Sequence, residues 1–142
     1  MQYVKYNNDY ILRIDKNEEI VNTIKEFCIK NNIKNGTITG IGNTNKVILS
    51  LYDTNQKGYI NKTLEEPLEI TTLNGNVSTK NNEPYLHIHI NVSNKDFQVF
   101  GGHLNECYVA ATCEITIHKI DGFAKRNFDQ ETGLNLYDFT IS

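Results

Sequence analysis

Tyr85-Leu-His-Ile-His-Ile-Asn-Val92 alternates without a break: Leu86, Ile88, Ile90 and Val92 fall on one side, Tyr85, His87, His89 and Asn91 on the other. A period of two is the pattern of a half-buried β-strand, in which residues i and i+2 share a face. A second strand-like run, Phe97-Gln-Val-Phe-Gly-Gly-His-Leu104, follows one hairpin length downstream. The chain has four histidines, and three of them (His87, His89 and His103) lie in this one predicted hairpin.

Whether His103 faces the same way as His87 and His89 depends on the connection. Pairing of Val92 with Phe97 sets His87 opposite Gly102 and turns His103 to the wrong face. Pairing of Ser93 with Phe97, across a three-residue loop Asn94-Lys95-Asp96, sets His103 directly opposite His87; Asn or Asp supplies the left-handed residue such a loop needs. A bulge at Gly101-Gly102 restores the same parity. Convergence of the three imidazoles therefore requires one of these two devices.

Three imidazoles on one face suit a divalent transition metal, zinc first. Three protein ligands with a fourth position open is the catalytic type of zinc site, able to acidify water or polarise a carbonyl. The other reading, histidines partly buried and hydrogen-bonded within a sheet, stays open at this point. His118 reads as structural or surface. Glu69, in Pro67-Leu-Glu-Ile-Thr-Thr-Leu-Asn-Gly75, is an acidic residue entering an apolar strand; it suits a general base, a partner of a ligand histidine, or a solvated charge. Arg126 suits bidentate binding of a carboxylate, or an ordinary surface position.

Outward from the hairpin, Asp9-Tyr-Ile-Leu-Arg-Ile-Asp15 reads as a strand. Asp15-Lys-Asn-Glu18 resembles a helix start with an Asp or Asn cap, and Ile20, Val21, Ile24, Phe27 and Cys28 recur at helical spacing to about Lys30. Lys46-Val-Ile-Leu-Ser-Leu-Tyr52 is a strand, and Gly58-Tyr-Ile-Asn-Lys62 a weaker one. The segment 64–78 reads as strand, a turn or bulge at Asn74-Gly75, then strand. Residues 108–120 form the longest strand-like stretch. The tail, residues 123–142, has no clear period. The fold class is α+β, a mainly antiparallel β-sheet packed against one main helix, with residues 1–142 as one domain.

Composition narrows the function. The 142 residues carry a formal net charge of −3, with a pI near 5.8 and a mean hydropathy of −0.47. Only two arginines are present, Arg13 and Arg126, so nucleic acid, which needs a basic face, is not the expected partner. No apolar stretch approaches the roughly 20 residues of a membrane helix, and residues 1–8 lack the apolar core of a signal peptide. Cys28, Cys107 and Cys113 form no CxxC pair; free thiols in a reducing cytoplasm are expected. Neither GxGxxG nor GxxxxGK[ST] is present, and the glycines of Thr39-Gly-Ile-Gly42 read as a bend or close packing.

Several segments, in order, resemble the PPC domain (plants and prokaryotes conserved, DUF296) across roughly residues 9–137. They are Tyr10-Ile-Leu-Arg-Ile14 with the helix after it, Ile38-Thr-Gly-Ile-Gly-Asn43, Leu68-Glu-Ile-Thr-Thr-Leu-Asn-Gly-Asn76, Pro84-Tyr-Leu-His-Ile-His89 and Gly101-Gly-His-Leu104. The resemblance implies a homotrimer and a metal at His87, His89 and His103, on a fold similar to that of acetolactate decarboxylase, a zinc enzyme. In plants, members of the family contact DNA through a separate AT-hook, an Arg-Gly-Arg core that this sequence lacks. Three expectations follow: a metal-dependent enzyme or small-molecule sensor, with Glu69 and Arg126 as the groups that act on a small polar or carboxylate ligand; a non-enzymatic regulatory or oligomerisation module; and, third, direct DNA binding.

Overall fold

The computed structural model describes residues 1–122 and 124–140; Phe123, Ile141 and Ser142, at the two limits of the predicted tail, lie outside them. The described residues form strands β1 (Gln2–Tyr6), β2 (Asp9–Asp15), β3 (Gly36–Asp53), β4 (Gly58–Leu64), β5 (Leu68–Lys80), β6 (Glu83–Ser93), β7 (Val99–Lys119), β8 (Lys125–Asp129) and β9 (Leu134–Asp138), with one helix, α1 (Ile20–Lys30), between β2 and β3. The sheet is antiparallel apart from the single contact of β5 with β8 at Thr79 and Lys125. Pairing runs β3–β5, β5–β6, β6–β7 and β7–β3, so these four strands return on themselves in a closed ring. The remaining strands extend it: β2 and β1 beyond β7, β4 beside β3, and the β8–β9 hairpin beyond β5.

The helix is where its periodicity predicts it. Ile20, Ile24, Phe27 and Cys28 are its buried residues, and they join Tyr10, Leu12 and Ile14 of β2 with Ile88, Ile90, Val92, Cys107, Val109, Ile115 and Ile117 of β6 and β7 in one core. Burying a side chain the size of Ile24 or Phe27 contributes roughly 1.5–3 kcal/mol. The cap is Glu19, not Asp15 or an Asn: its carboxylate accepts from Val21 N at 3.0 Å and Asn22 N at 2.7 Å. The same carboxylate accepts from Cys107 N at 3.0 Å, tying the helix start to β7. A glutamate wins over the shorter acids because it alone reaches both the orphan helix donors and the neighbouring strand.

Two expectations are corrected. Residues 68–80 form one continuous strand, with no turn at Asn74-Gly75; the only irregularity lies between Ile70 and Thr72. Gly75 is there because strand β6 comes too close for a side chain: a Cβ on it would lie 2.9 Å from Ile88 Cα and closer still to the His87 carbonyl. Tight turns fall instead on asparagines. Asn7, Asn17, Asn32, Asn81 and Asn82 all have positive φ, and Asn81-Asn82 forms the two-residue loop between Lys80 and Glu83. Asparagine, frequent in this chain, thus serves turn chemistry at these positions. The aperiodic tail is the second correction: β8 and β9 make a hairpin that lies against the histidine-bearing face. It is held there by Tyr52 Oη donating to the Thr132 carbonyl at 2.6 Å and Lys57 Nζ donating to the Gln130 carbonyl at 2.9 Å.

Candidate metal centre

Alternation on β6 sends Ile88, Ile90 and Val92 into the core and leaves His87 and His89 on the opposite face. On β7, Leu104 is buried in the core and His103 beside it faces outward with them. The ligand nitrogens of His87, His89 and His103 all lie within 4.8 Å of one another. Ring centroids are 5.1 Å apart for His87 and His89, 5.4 Å for His87 and His103, and 5.6 Å for His89 and His103.

Neither device expected for this convergence is used. His103 pairs with His89, not His87, and Ser93 pairs with Val99, with no bulge at Gly101-Gly102. The connection is a five-residue loop, 94–98. Asn94 organises it: its side-chain oxygen accepts from Asp96 N and Gln98 N, both at 3.0 Å, while its backbone N donates to the Gln98 carbonyl at 3.1 Å. The left-handed residue is Phe97, φ 58°, rather than Asn or Asp. Two more loop residues than the three-residue solution shift the register by a whole pleat, so the parity is unchanged.

The three residues fit a metal. His87 Nε2 and His89 Nε2 are 3.3 Å apart, and two nitrogens bound to a tetrahedral zinc at 2.0–2.1 Å are separated by about 3.3–3.4 Å. Burial pushes the His87 pKa down to about 4, reinforced by the nearby His103, His89 and Arg126. Burial, then His89, lowers that of His103 as well. Both imidazoles therefore stand in the neutral form that ligates metal.

Arg126 is brought beside the tripod. It is only 6 % exposed. Its Nε donates to Ser78 Oγ at 2.8 Å, Nη1 to the Asn135 carbonyl at 2.8 Å, and Nη2 to Asn76 Oδ1 at 3.1 Å. Its guanidinium carbon lies 3.9 Å from the Tyr137 ring centroid and 5.3 Å from that of Tyr85. Asn76 is the cross-strand partner of His87, so Arg126 couples the β8–β9 hairpin to the strand pair that carries His87. Glu69 is not brought in. It is exposed and pairs with Ser93, four residues along β6 from His89, a separation of about 13 Å on a strand. It opens instead onto a shallow cleft of about 450 Å³ shared with Asn43, Thr112 and Glu114. His118 pairs with Asp9 across β2 and β7, Nδ1 to Oδ1 at 2.7 Å, in an exposed position.

Sequence reasoning did not single out the residues that frame the tripod. Tyr59 of β4 packs its ring 5.4 Å from that of His103 and 5.1 Å from Tyr52. Asn74 and Asn76 stand opposite His89 and His87. The irregularity between Ile70 and Thr72 shifts the alternation of β5 and so puts both asparagines on the histidine face, where unbroken alternation from Leu68 and Ile70 would bury them. Nothing local in the sequence marks Tyr59, because β4 reaches His103 only through β3.

Residues 1–121 match the family model of the Plants and Prokaryotes Conserved (PCC) domain. Among solved structures, a metal-containing protein from Archaeoglobus fulgidus is 37 % identical, with a TM-score of 0.87 over 94 % of this chain and 94 % of that one. A protein from Bacteroides thetaiotaomicron described as a candidate DNA-binding protein is 35 % identical, with a TM-score of 0.95 over 97 % of this chain and 96 % of that one. An α-acetolactate decarboxylase from Bacillus subtilis shares the fold at 16 % identity, with a TM-score of 0.57 over 86 % of this chain and 57 % of that one. No curated protein sequence matches this chain.

Proposed function

This chain belongs to the Plants and Prokaryotes Conserved domain family, and from that premise we propose that it is a metal-dependent protein holding one divalent ion, zinc, through His87, His89 and His103. The observation that carries the reading is the tripod of imidazoles with its 3.3 Å Nε2–Nε2 edge. The metal-containing relative from Archaeoglobus fulgidus supports it. A zinc held by these three imidazoles would supply a Lewis acid. His87, His89 and His103 would be its ligands, and the strand backbones hold them in register. In this reading the protein is an enzyme or sensor for a small polar or carboxylate compound. Arg126 supplies positive charge beside the site, and Glu69 is the acid to test for any part in turnover.

The same reading makes the protein a homotrimer of the reducing cytoplasm. Exposed Tyr3, Val4 and Ile11 on the outer strands β1 and β2, with Ile41 of β3, support self-association, and three free buried cysteines support the compartment. Light scattering is expected to return about 49 kDa, three times 16.3 kDa. Nucleic acid is the weaker reading: the net charge is −3, Arg126 is buried, and Arg13 is paired with Asp15 at 3.0 Å.

Metal analysis of protein purified without chelator tests the proposal. About one zinc per chain is expected in the wild type and none in His87→Ala/His89→Ala. A wild type that holds no metal, or a double variant that keeps it, overturns the proposal. A gel shift at low salt, where electrostatic binding is strongest, is expected to show no complex; a complex would reverse the order of the two readings.

A further inference from the structure

We propose that the open side of the histidine tripod is a receptor for a small carboxylate, recognised by the Tyr59 hydroxyl and favoured by the buried charge of Arg126. This rests on the metal reading above and adds the chemical class of the ligand and a residue that selects it.

Arg126 is a charge held by neutral groups and by the rings of Tyr137 and Tyr85, with no acidic partner among the described residues. Arg126 is 6 % exposed, and buried arginines are ordinarily matched by an acid. Here every hydrogen-bond partner is neutral: Ser78 Oγ, the Asn135 carbonyl and Asn76 Oδ1. Among the described residues no carboxylate stands within ion-pair distance of it. The histidines repeat the pattern. None of the three ligand histidines hydrogen-bonds a carboxylate among the described residues, although a carboxylate is a common partner of a ligating imidazole. Adding a divalent cation to this surface leaves an excess of positive charge in a partly desolvated place. An anion taken from solution offsets it.

Tyr59 supplies the directional contact. Its ring lies against His103, and its hydroxyl makes no hydrogen bond among the described residues. Its neighbours Tyr52 and Tyr85 are engaged instead, Tyr52 Oη donating to the Thr132 carbonyl and Tyr85 Oη accepting from Asn135 Nδ2 at 3.4 Å. A phenol carries its proton at neutral pH and donates it to an oxygen acceptor. Three of the five N–H groups of Arg126 are already engaged, so its part is the field it sets across the site rather than a direct grip.

Cobalt(II) substitution separates the two readings. The visible spectrum of cobalt-loaded protein is titrated with acetate, then with neutral acetamide, in the wild type and in Tyr59→Phe. One cobalt per chain is expected, with a saturable shift of the visible bands on adding acetate and none with acetamide. Tyr59→Phe is expected to bind cobalt equally and acetate about tenfold more weakly, the loss of one charge-assisted hydrogen bond. Failure to bind cobalt overturns the metal reading and this inference with it. Cobalt bound at full occupancy with bands that ignore acetate overturns the carboxylate receptor alone. An equal response to acetamide overturns the charge argument, and unchanged acetate affinity in Tyr59→Phe overturns the role of Tyr59.

Discussion

Replacing Gly75 with alanine tests whether the β5–β6 spacing sets the metal centre. A Cβ at this position would sit 2.8 Å from Ile88 Cγ1 and 2.9 Å from Ile88 Cα, and closer to the His87 carbonyl, whereas ordinary contact begins near 3.4 Å. Backbone cannot swing aside as a long side chain does. The strands must therefore part by about 0.5–1 Å, and the residue they carry at that point is His87. Overpacking of this kind costs about 1–3 kcal/mol, which for a chain of this size lowers Tm by roughly 3–9 °C. Displacing a ligand's backbone loosens the site as removal of its orienting groups does, by about 10–100-fold in metal affinity. Calorimetry of the metal-free protein reads the first effect and chelator competition the second. Gly58→Ala is the control: only the Gln56 carbonyl, 3.9 Å away, meets the new methyl, so stability is expected within about 0.5 kcal/mol of wild type. Gly75→Ala protein as stable as the control and binding zinc as tightly as wild type would refute the reasoning.

Three further outcomes are expected. The His87 pKa is near 4 when folded and about 6.5 when unfolded. Between those values the unfolded chain takes up the proton first, so metal-free protein loses stability as pH falls from about 6.5 to 4; urea midpoints against pH are expected to show this slope, and to show less of it in His87→Asn. Burial pushes the thiols of Cys28, Cys107 and Cys113 up to about 12, so a thiol-disulfide reagent at pH 8 is expected to find none in the native protein and all three in denaturant. Phe97 is 87 % exposed and holds φ 58°; Phe97→Asn gives up little packing and relieves the backbone, and is expected to raise stability by about 0.5–1 kcal/mol in denaturant melts.

The histidine cluster was legible because alternation is a local property: His87 and His89 share a face whatever else the chain does. His103 required one further fact, the parity of the loop, and that parity held although the actual loop differs from both solutions considered. A side chain decided it, since Asn94 binds the backbone at Asp96 and Gln98, and such capping is invisible to a count of loop residues. The helix was legible through its apolar spacing, but not its cap, because Glu19 is chosen by Cys107 N, 88 positions away. β1, β8 and β9 carry too little alternation to announce themselves. They exist because strands already in place offer them edges, and Tyr59 and Arg126 reach the site through the same long-range pairings.

All three ligands lie on one hairpin, between His87 and His103, joined by a loop that Asn94 ties together from within. The chain entropy needed to gather them is therefore that of closing one short hairpin, less than that of the distant pairing of β3 with β7. Metal affinity consequently reports on a small local piece of the chain. A molecule whose N-terminal strands have come loose keeps the three histidines together so long as the hairpin and its β5 neighbour stay paired, and on the metal reading proposed above a bound ion would pin that part of the ring.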